Sequence, residues 1–128
     1  MTDTVQSHQI EIVTDRFVMR PLQTSDKGLL EMHLGDQRVA NMTRSIPHPL
    51  PPEYIAGRIE RANEDDREND FWAIDGSSQG HAEVMGVLKM TKLDRNQSEL
   101  RYWVAPAFWN TGIATQAVDA ILRANPQG

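Results

Sequence analysis

The chain has 128 residues, a formal net charge of −5, 39% hydrophobic and 24% charged residues, and no cysteine. That is the length of one domain with a core of its own and the composition of a soluble globular protein. The acidic balance argues against a nucleic-acid binder and is compatible with an amine-bearing partner, and the missing thiols exclude disulfides, thiolate metal sites and a cysteine nucleophile.

Residues 1–10 form a polar lead-in without the apolar core of a signal peptide, and no apolar run approaches the ~20 residues of a membrane span. A cytoplasmic protein without membrane contact is expected. IEIVTDRFVMRPLQ alternates and is rich in β-branched and aromatic residues, predicting a first strand near Phe17 to Leu22. TSDKGLLEMHLGD then predicts a helix, with Thr24 or Ser25 as its cap, Asp26 suited to its positive end and Gly35 at its stop. DQRVANMT predicts a second short helical piece. RSIPHPLPP predicts a loop, because its prolines fit neither a helix interior nor an inner strand.

PEYIAGRIERANEDDREN predicts an amphipathic helix with Ile55, Ile59 and Ala62 on one face. The period then changes, and FWAID, EVMGVLKMTKL and SELRYWVA predict three strands separated by the turns GSSQG and DRNQ. After PAFWNTG the helical period returns. Ala114, Ala117, Val118, Ile121 and Leu122 are expected on one face, with Asn125, Pro126 and Gly128 as stop signals. The order strand, helices, three strands, helix predicts a single α+β layer domain whose middle strands form an antiparallel meander.

Few motifs survive a physical test. GSSQG (Gly76 to Gly80) matches G-x-S-x-G with Ser78 as nucleophile, but that elbow needs a helix after it. AEVMGVLKM reads as a strand, so a hairpin turn is expected instead. The histidines His8, His33, His48 and His81 lack metal-binding spacing, and no metal site is expected. EDDREND reads as a solvated acidic run, and the sequons NMT and NQS carry no meaning without secretion.

WNTGIAT (Trp109 to Thr115) is different, because a strand leads into it and a helix leaves it. The first N–H groups of that helix have no intrahelical acceptor and carry the positive end of its dipole, so they suit a phosphate. Gly112 permits close approach of backbone to ligand, and Ala114 and Thr115 add little bulk. Taken alone, such a glycine is more often a turn.

The surrounding residues resemble the GNAT superfamily of N-acetyltransferases, whose phosphate loop reads Q/R-x-x-G-x-G/A; WNTGIA keeps its glycine and alanine, with Trp109 at the Q/R position. Within it, the RimJ/RimL branch reads E-x-G-Y-W-x-x-P-x-F-W-G-x-G-x-A-T-E-A. ELRYWVAPAFWNTGIATQA places Glu99, Tyr102, Trp103, Pro106, Phe108, Trp109, Gly112, Ala114, Thr115 and Ala117 in register with that pattern. DRFVMRPLQTSD is similar to the branch's opening x-R-L-x-L-R-P-x-x-x-x-D. The chain departs from the pattern at Arg101 and Asn110, both glycine in the branch, and at Gln116.

The resemblance implies an acetyl-CoA-dependent transfer of acetyl to a primary amine, either a protein N-terminus or a small amine, in a mostly antiparallel sheet flanked by helices. It implies that Asn110, Thr111, Gly112, Ile113, Ala114 and Thr115 hold the pyrophosphate. Pantetheine would lie along Trp103, Val104 and Ala105, the Val104 N–H would face the thioester oxygen, and Glu99 would be the base. The family fold continues with a fifth strand, a helix and a final hairpin, so the resemblance further implies that residues 1–128 are a domain lacking those C-terminal parts. The group that protonates the leaving thiolate would belong to them. The alternative expectation is a catalytically incomplete fragment or interaction module that completes its sheet with a partner, such as a second copy in a homodimer.

Overall fold

The computed structural model describes residues 9–43, 46–47, 49–67, 69–94 and 97–125. The start of the expected lead-in, His8, His48, Asn96 of the second sequon, and the stop signals Pro126 and Gly128 lie outside them.

Five strands follow one another in an antiparallel sheet in chain order: β1 (Ile12–Val13), β2 (Val18–Pro21), β3 (Asn69–Asp75), β4 (Gly86–Asp94) and β5 (Gln97–Val104). The expected meander therefore extends to the first strand as well, with β2 beside β3. The small β1 was not read from the sequence. It exists because Thr14 closes a tight hairpin, its N–H donating to the Phe17 carbonyl (2.8 Å) while its hydroxyl oxygen accepts from the N–H groups of Arg16 and Phe17.

Helices cover both faces. On one side lie α1 (Lys27–Leu34), α2 (Gln37–Ala40) and α3 (Tyr54–Ala62), and on the other α4 (Ile113–Ala124). Leu30, Leu34, Val39, Ile55, Ile59 and Ala62 bury against Ala73, Val87 and Trp103 on the first face. Ile113, Ala117 and Ile121 bury against Phe17, Met19, Trp72, Ile74, Leu88 and Val104 on the second. This is the layering that alternating strands and 3.6-period helices demand. The inward row of α4 follows i, i+4, i+8 from Ile113, which turns Leu122 outward at 64% exposure instead of into the expected stripe. GSSQG forms a short 3-10 turn, Ser77–Gln79, between antiparallel β3 and β4, with Ser78 exposed. No helix among the described residues is long and apolar enough to cross a membrane.

The RPLQTSD stretch folds around a buried charge cluster. Asp26 is fully buried and takes a two-pronged contact from Arg20, with Nη1 and Nη2 at 2.9 and 2.8 Å. It also accepts the Gln23 N–H (2.8 Å), so the helical turn is capped from Gln23 and Asp26 rather than from Thr24 or Ser25. Arg20 Nε donates to Asp75 of β3 at 2.8 Å. Burial alone would lower the pKa of Arg20; hydrogen bonds and charge from Asp26 and Asp75 outweigh it and hold the guanidinium above its usual value. For Asp75, partial burial pulls the pKa upward, but hydrogen bonds from Ser77 and Arg20 prevail and keep the carboxyl below its ordinary value.

A carboxyl whose folded pKa is depressed contributes stability that is present above its unfolded value, near ~3.9, and lost as pH falls through the folded one. Urea midpoints of the native chain should accordingly drop faster than those of Asp75→Asn as pH is lowered from about 5 toward 3. Parallel curves for the two proteins would remove Asp75 from this account.

Candidate active site at the end of the last strand

β5 is the edge of the sheet among the described strands, pairing with β4 alone. Along it, Trp103 faces α1 and α3 while Val104 faces α4. The Ala105 N–H donates to the Met85 carbonyl (2.8 Å), so the bonds bracket the Gly86–Val104 pair rather than joining it. Val104 therefore aims its own N–H and C=O away from the sheet. Its carbonyl is taken by the indole N–H of Trp109 (2.7 Å), and its N–H has no acceptor among the described residues.

A 3-10 turn, Pro106–Phe108, then carries the chain over to α4. Two residues of the connection sit in the left-handed region, Asn110 at φ 63° and Gly112 at φ 81°. Glycine enters that region freely, and asparagine is among the few side chains that tolerate it. This is a physical reason why asparagine can stand where the resembled pattern has glycine. The first amide to close a helical bond is that of Gln116, onto the Gly112 carbonyl (2.9 Å). The N–H groups of Ile113, Ala114 and Thr115 precede it, without intrahelical acceptors and at the positive end of the dipole.

These atoms border one depression of about 350 Å³, lined by Val104, Phe108, Trp109, Asn110, Gly112, Ile113, Ala114 and Thr115. Six of the nine residues expected to meet the cofactor thus lie together. The other three are placed differently. Trp103 is turned to the opposite face, Ala105 is buried, and Thr111 offers its carbonyl to Arg16 Nη2 (2.8 Å) and its hydroxyl to the Phe108 carbonyl.

Asp15 escaped the sequence reading, and Arg16 entered it only as the first arginine of the resembled opening pattern. Both stand in the β1–β2 turn, and Asp15 accepts from the Gln116 side chain at 2.7 Å. The turn thereby clasps the start of α4 from both sides of Gly112. Nothing local marks their contacts, since the partners lie 95 and 101 positions away. Trp109 was placed in the loop by the resembled pattern, whereas its role of holding the Val104 carbonyl was not foreseen.

A second depression, of about 280 Å³, opens on the other face of β5. It is lined by Asn41, Met42, Thr43, Ile46, Arg58, Phe71, Val87, Lys89, Arg101, Tyr102 and Trp103. Consecutive residues Trp103 and Val104 separate the two hollows. Glu99 lies on the Trp103 side, two residues before Arg101, and its Oε2 accepts from Arg101 Nη2 at 3.3 Å. It lines neither hollow, and five residues of extended strand, about 17 Å, separate it from Val104. Among the described residues, no three His, Asp or Glu side chains gather to hold a metal.

The sequence matches the family model of the acetyltransferase (GNAT) domain over residues 16–125, which takes in every element of both hollows. The chain belongs to the GNAT acetyltransferase family. Its fold is similar to that of a GNAT-family acetyltransferase from Bacillus anthracis, at 17% identity and a TM-score of 0.69, covering 89% of this chain and 64% of that one. It is also similar to the ribosomal-protein-S5-alanine acetyltransferase from Vibrio fischeri, at 11% identity and a TM-score of 0.62, covering 91% and 69%. At such identities the likeness carries the GNAT fold and not the substrate. The chain spans 65% and 64% of the length of two of the acetyltransferase structures it matches. No curated protein sequence matches it.

Proposed function

We propose that this GNAT domain binds acetyl-CoA and transfers its acetyl group to a primary amine. The observation that carries the reading is the outward Val104 N–H, set at the junction of one hollow rimmed by free helix amides and a second hollow open to an acceptor. Acetyl-CoA supplies an activated thioester. The amides of Ile113, Ala114 and Thr115, beside Asn110 and Gly112, suit its pyrophosphate without any lysine, as helix N-termini do. The edge of β5 suits its pantetheine arm, and Tyr102 and Trp103 flank the reacting centre.

Attack by the amine nitrogen forms the C–N bond and places negative charge on the former carbonyl oxygen. The Val104 N–H is positioned to donate to that oxygen, and its fixed orientation by the sheet requires no reorganisation at that moment. Collapse breaks the C–S bond and expels the thiolate of CoA. The amine must lose a proton to react, and Glu99 is our choice of base. Its distance from Val104 requires it to act through water along the Trp103 face. The finer reading, an enzyme of the RimJ/RimL-like branch, rests on the pattern in residues 99–117, with a ribosomal-protein acetyltransferase among the structural neighbours as support.

The open edge of β5 favours a second reading, in which a strand from a second copy or a further segment pairs there and completes the donor site. One titration separates the two. With acetyl-CoA added to the 128-residue chain, the amide signals of Val104, Asn110 and Ile113 to Thr115 should shift while those of α3 stay. Light scattering on the same sample reports its mass. Shifts in a monomer support the first reading, and shifts confined to a dimer support the second. No shift in either overturns both. Glu99→Gln should preserve the shifts and slow amine-dependent CoA release by about 10²-fold or more. Unchanged release would remove Glu99 from the role of base.

A further inference from the structure

The second hollow has a charge that the rest of the chain does not predict. Arg58, Lys89 and Arg101 all line it, and none of its described lining residues is acidic, in a protein of net charge −5. Phe71, Lys89 and Arg101 are direct neighbours across β3, β4 and β5. Arg58 of α3 stands over the Phe71 ring at 5.5 Å and the Tyr54 ring at 5.8 Å. Like charges directly opposite on adjacent strands are unfavourable. Yet Lys89 is half-buried and makes no ion pair with a described residue, while Glu99 pairs with Arg101 and lines no part of the hollow.

With only Arg101 among them paired to a described carboxylate, that of Glu99, an anion arriving from outside would neutralise the rest of such a row. The remaining lining is apolar: Met42, Ile46, Val87 and Trp103. The cationic row and the reacting edge are separate, since Arg101 and Val104 are three strand residues apart, about 10 Å. A volume of about 280 Å³ is near the lower bound of small-ligand sites.

We infer that the acceptor is a small amine that also carries a carboxylate, set several bonds from the amine, and an apolar side chain: a molecule of dipeptide class. Its carboxylate lies among Arg58, Lys89 and Arg101, its apolar part on Trp103, and its amine toward Val104. This rests on the acetyl-transfer reading for the role of acceptor, but not for the anion site itself. α-Amino acids hold amine and carboxylate too close together to span the two positions, and polyamines bring the wrong charge.

The test uses L-alanyl-L-phenylalanine and its C-terminal amide, which differ in the carboxylate alone, with binding read from the indole signal of Trp103. The free acid should bind at least about tenfold more tightly than the amide. Lys89→Met, in a sample that keeps the native spectrum elsewhere, should abolish most of that preference, and Arg101→Gln should reduce it. Equal binding of acid and amide, or a preference untouched by both substitutions, overturns the inference. Acetylated dipeptide detected by mass spectrometry supports both readings. A carboxylate-dependent Trp103 response from a chain whose α4 amides ignore acetyl-CoA supports the anion site and overturns the transfer reading.

Discussion

Asp26→Ala should cost about 3–5 kcal/mol of folding stability, measured as a fall in the urea midpoint with little change in slope. Since domains of this size are stable by only about 5–15 kcal/mol, that change takes a large fraction of the total. The reason is asymmetry. The Asp26 carboxylate is fully buried and satisfied by the Arg20 fork and the Gln23 N–H, so removing it leaves a guanidinium with only 6% exposure short of its main partner. Asp75 and the Glu83 carbonyl still hold part of the arginine, which places the expectation below complete loss of the fold. A double replacement, Arg20→Met with Asp26→Leu, removes both charges and should recover much of the loss, because an apolar pair of similar volume replaces a desolvated ionic one. A cost under about 1 kcal/mol for Asp26→Ala would mean that the cluster is only as strong as a surface pair.

Gly86→Val is the second large effect, and it couples the core to the site. Any Cβ at residue 86 would fall far inside contact distance of the Trp103 carbonyl oxygen, while coming within 3.0 Å of the Val104 Cα and 3.3 Å of Ile74 Cδ1. Two of these are backbone atoms of β5, so no rotamer change relieves the clash. A glycine inside a strand marks just such a close approach of two backbones. The expected cost lies at or beyond the upper end of the ~1–3 kcal/mol usual for overpacking. Because relief requires β5 to move off β4, the Ala105–Met85 hydrogen bond should weaken and the Val104 amide should lose its response to acetyl-CoA. Gly86→Ala is the milder companion for measurement if the valine variant fails to fold. An alanine variant with native melting temperature and native Val104 signal would show that the strands part here at no cost.

What was legible in the sequence follows a simple division. Features that depend on residues close in the chain were read well. The 3.6-residue spacing of Ile55, Ile59 and Ala62, the strands after it, and the stop at Asn125, which caps α4 in the left-handed conformation, all stand where expected. The α+β class follows from that order alone. Features that depend on distant partners were not legible. Asp26 was read only as suited to a helix start, where it does stand, and its part as the buried end of a network reaching to β3 was not visible. Leu122 looked inward by apolar character, but the helix had already set its buried row through Ile113, Ala117 and Ile121. At the site, the glycine and alanine of the loop pointed to free amides. The opposite facing of Trp103 and Val104 follows from strand alternation. The cationic row of Arg58, Lys89 and Arg101 arises only when α3, β4 and β5 are brought side by side.

The clasp of Asp15 and Arg16 on residues 111 and 116 bears on how the molecule becomes functional during folding. Each of those hydrogen bonds closes a loop of most of the chain, the kind of pairing whose entropic cost must be met before it contributes anything, and which therefore tends to form late. A ribosome must release the chain past Gln116 before the first hairpin has anything to grip. In the native state the same bonds are exposed, so fluctuations that lift the hairpin should open the loop well before the sheet itself unfolds. The molecule then has a sub-global opening in which its core is intact and its cradle is not. Amide exchange at Thr14 to Phe17 would report the readiness of a surface at the opposite end of the sequence.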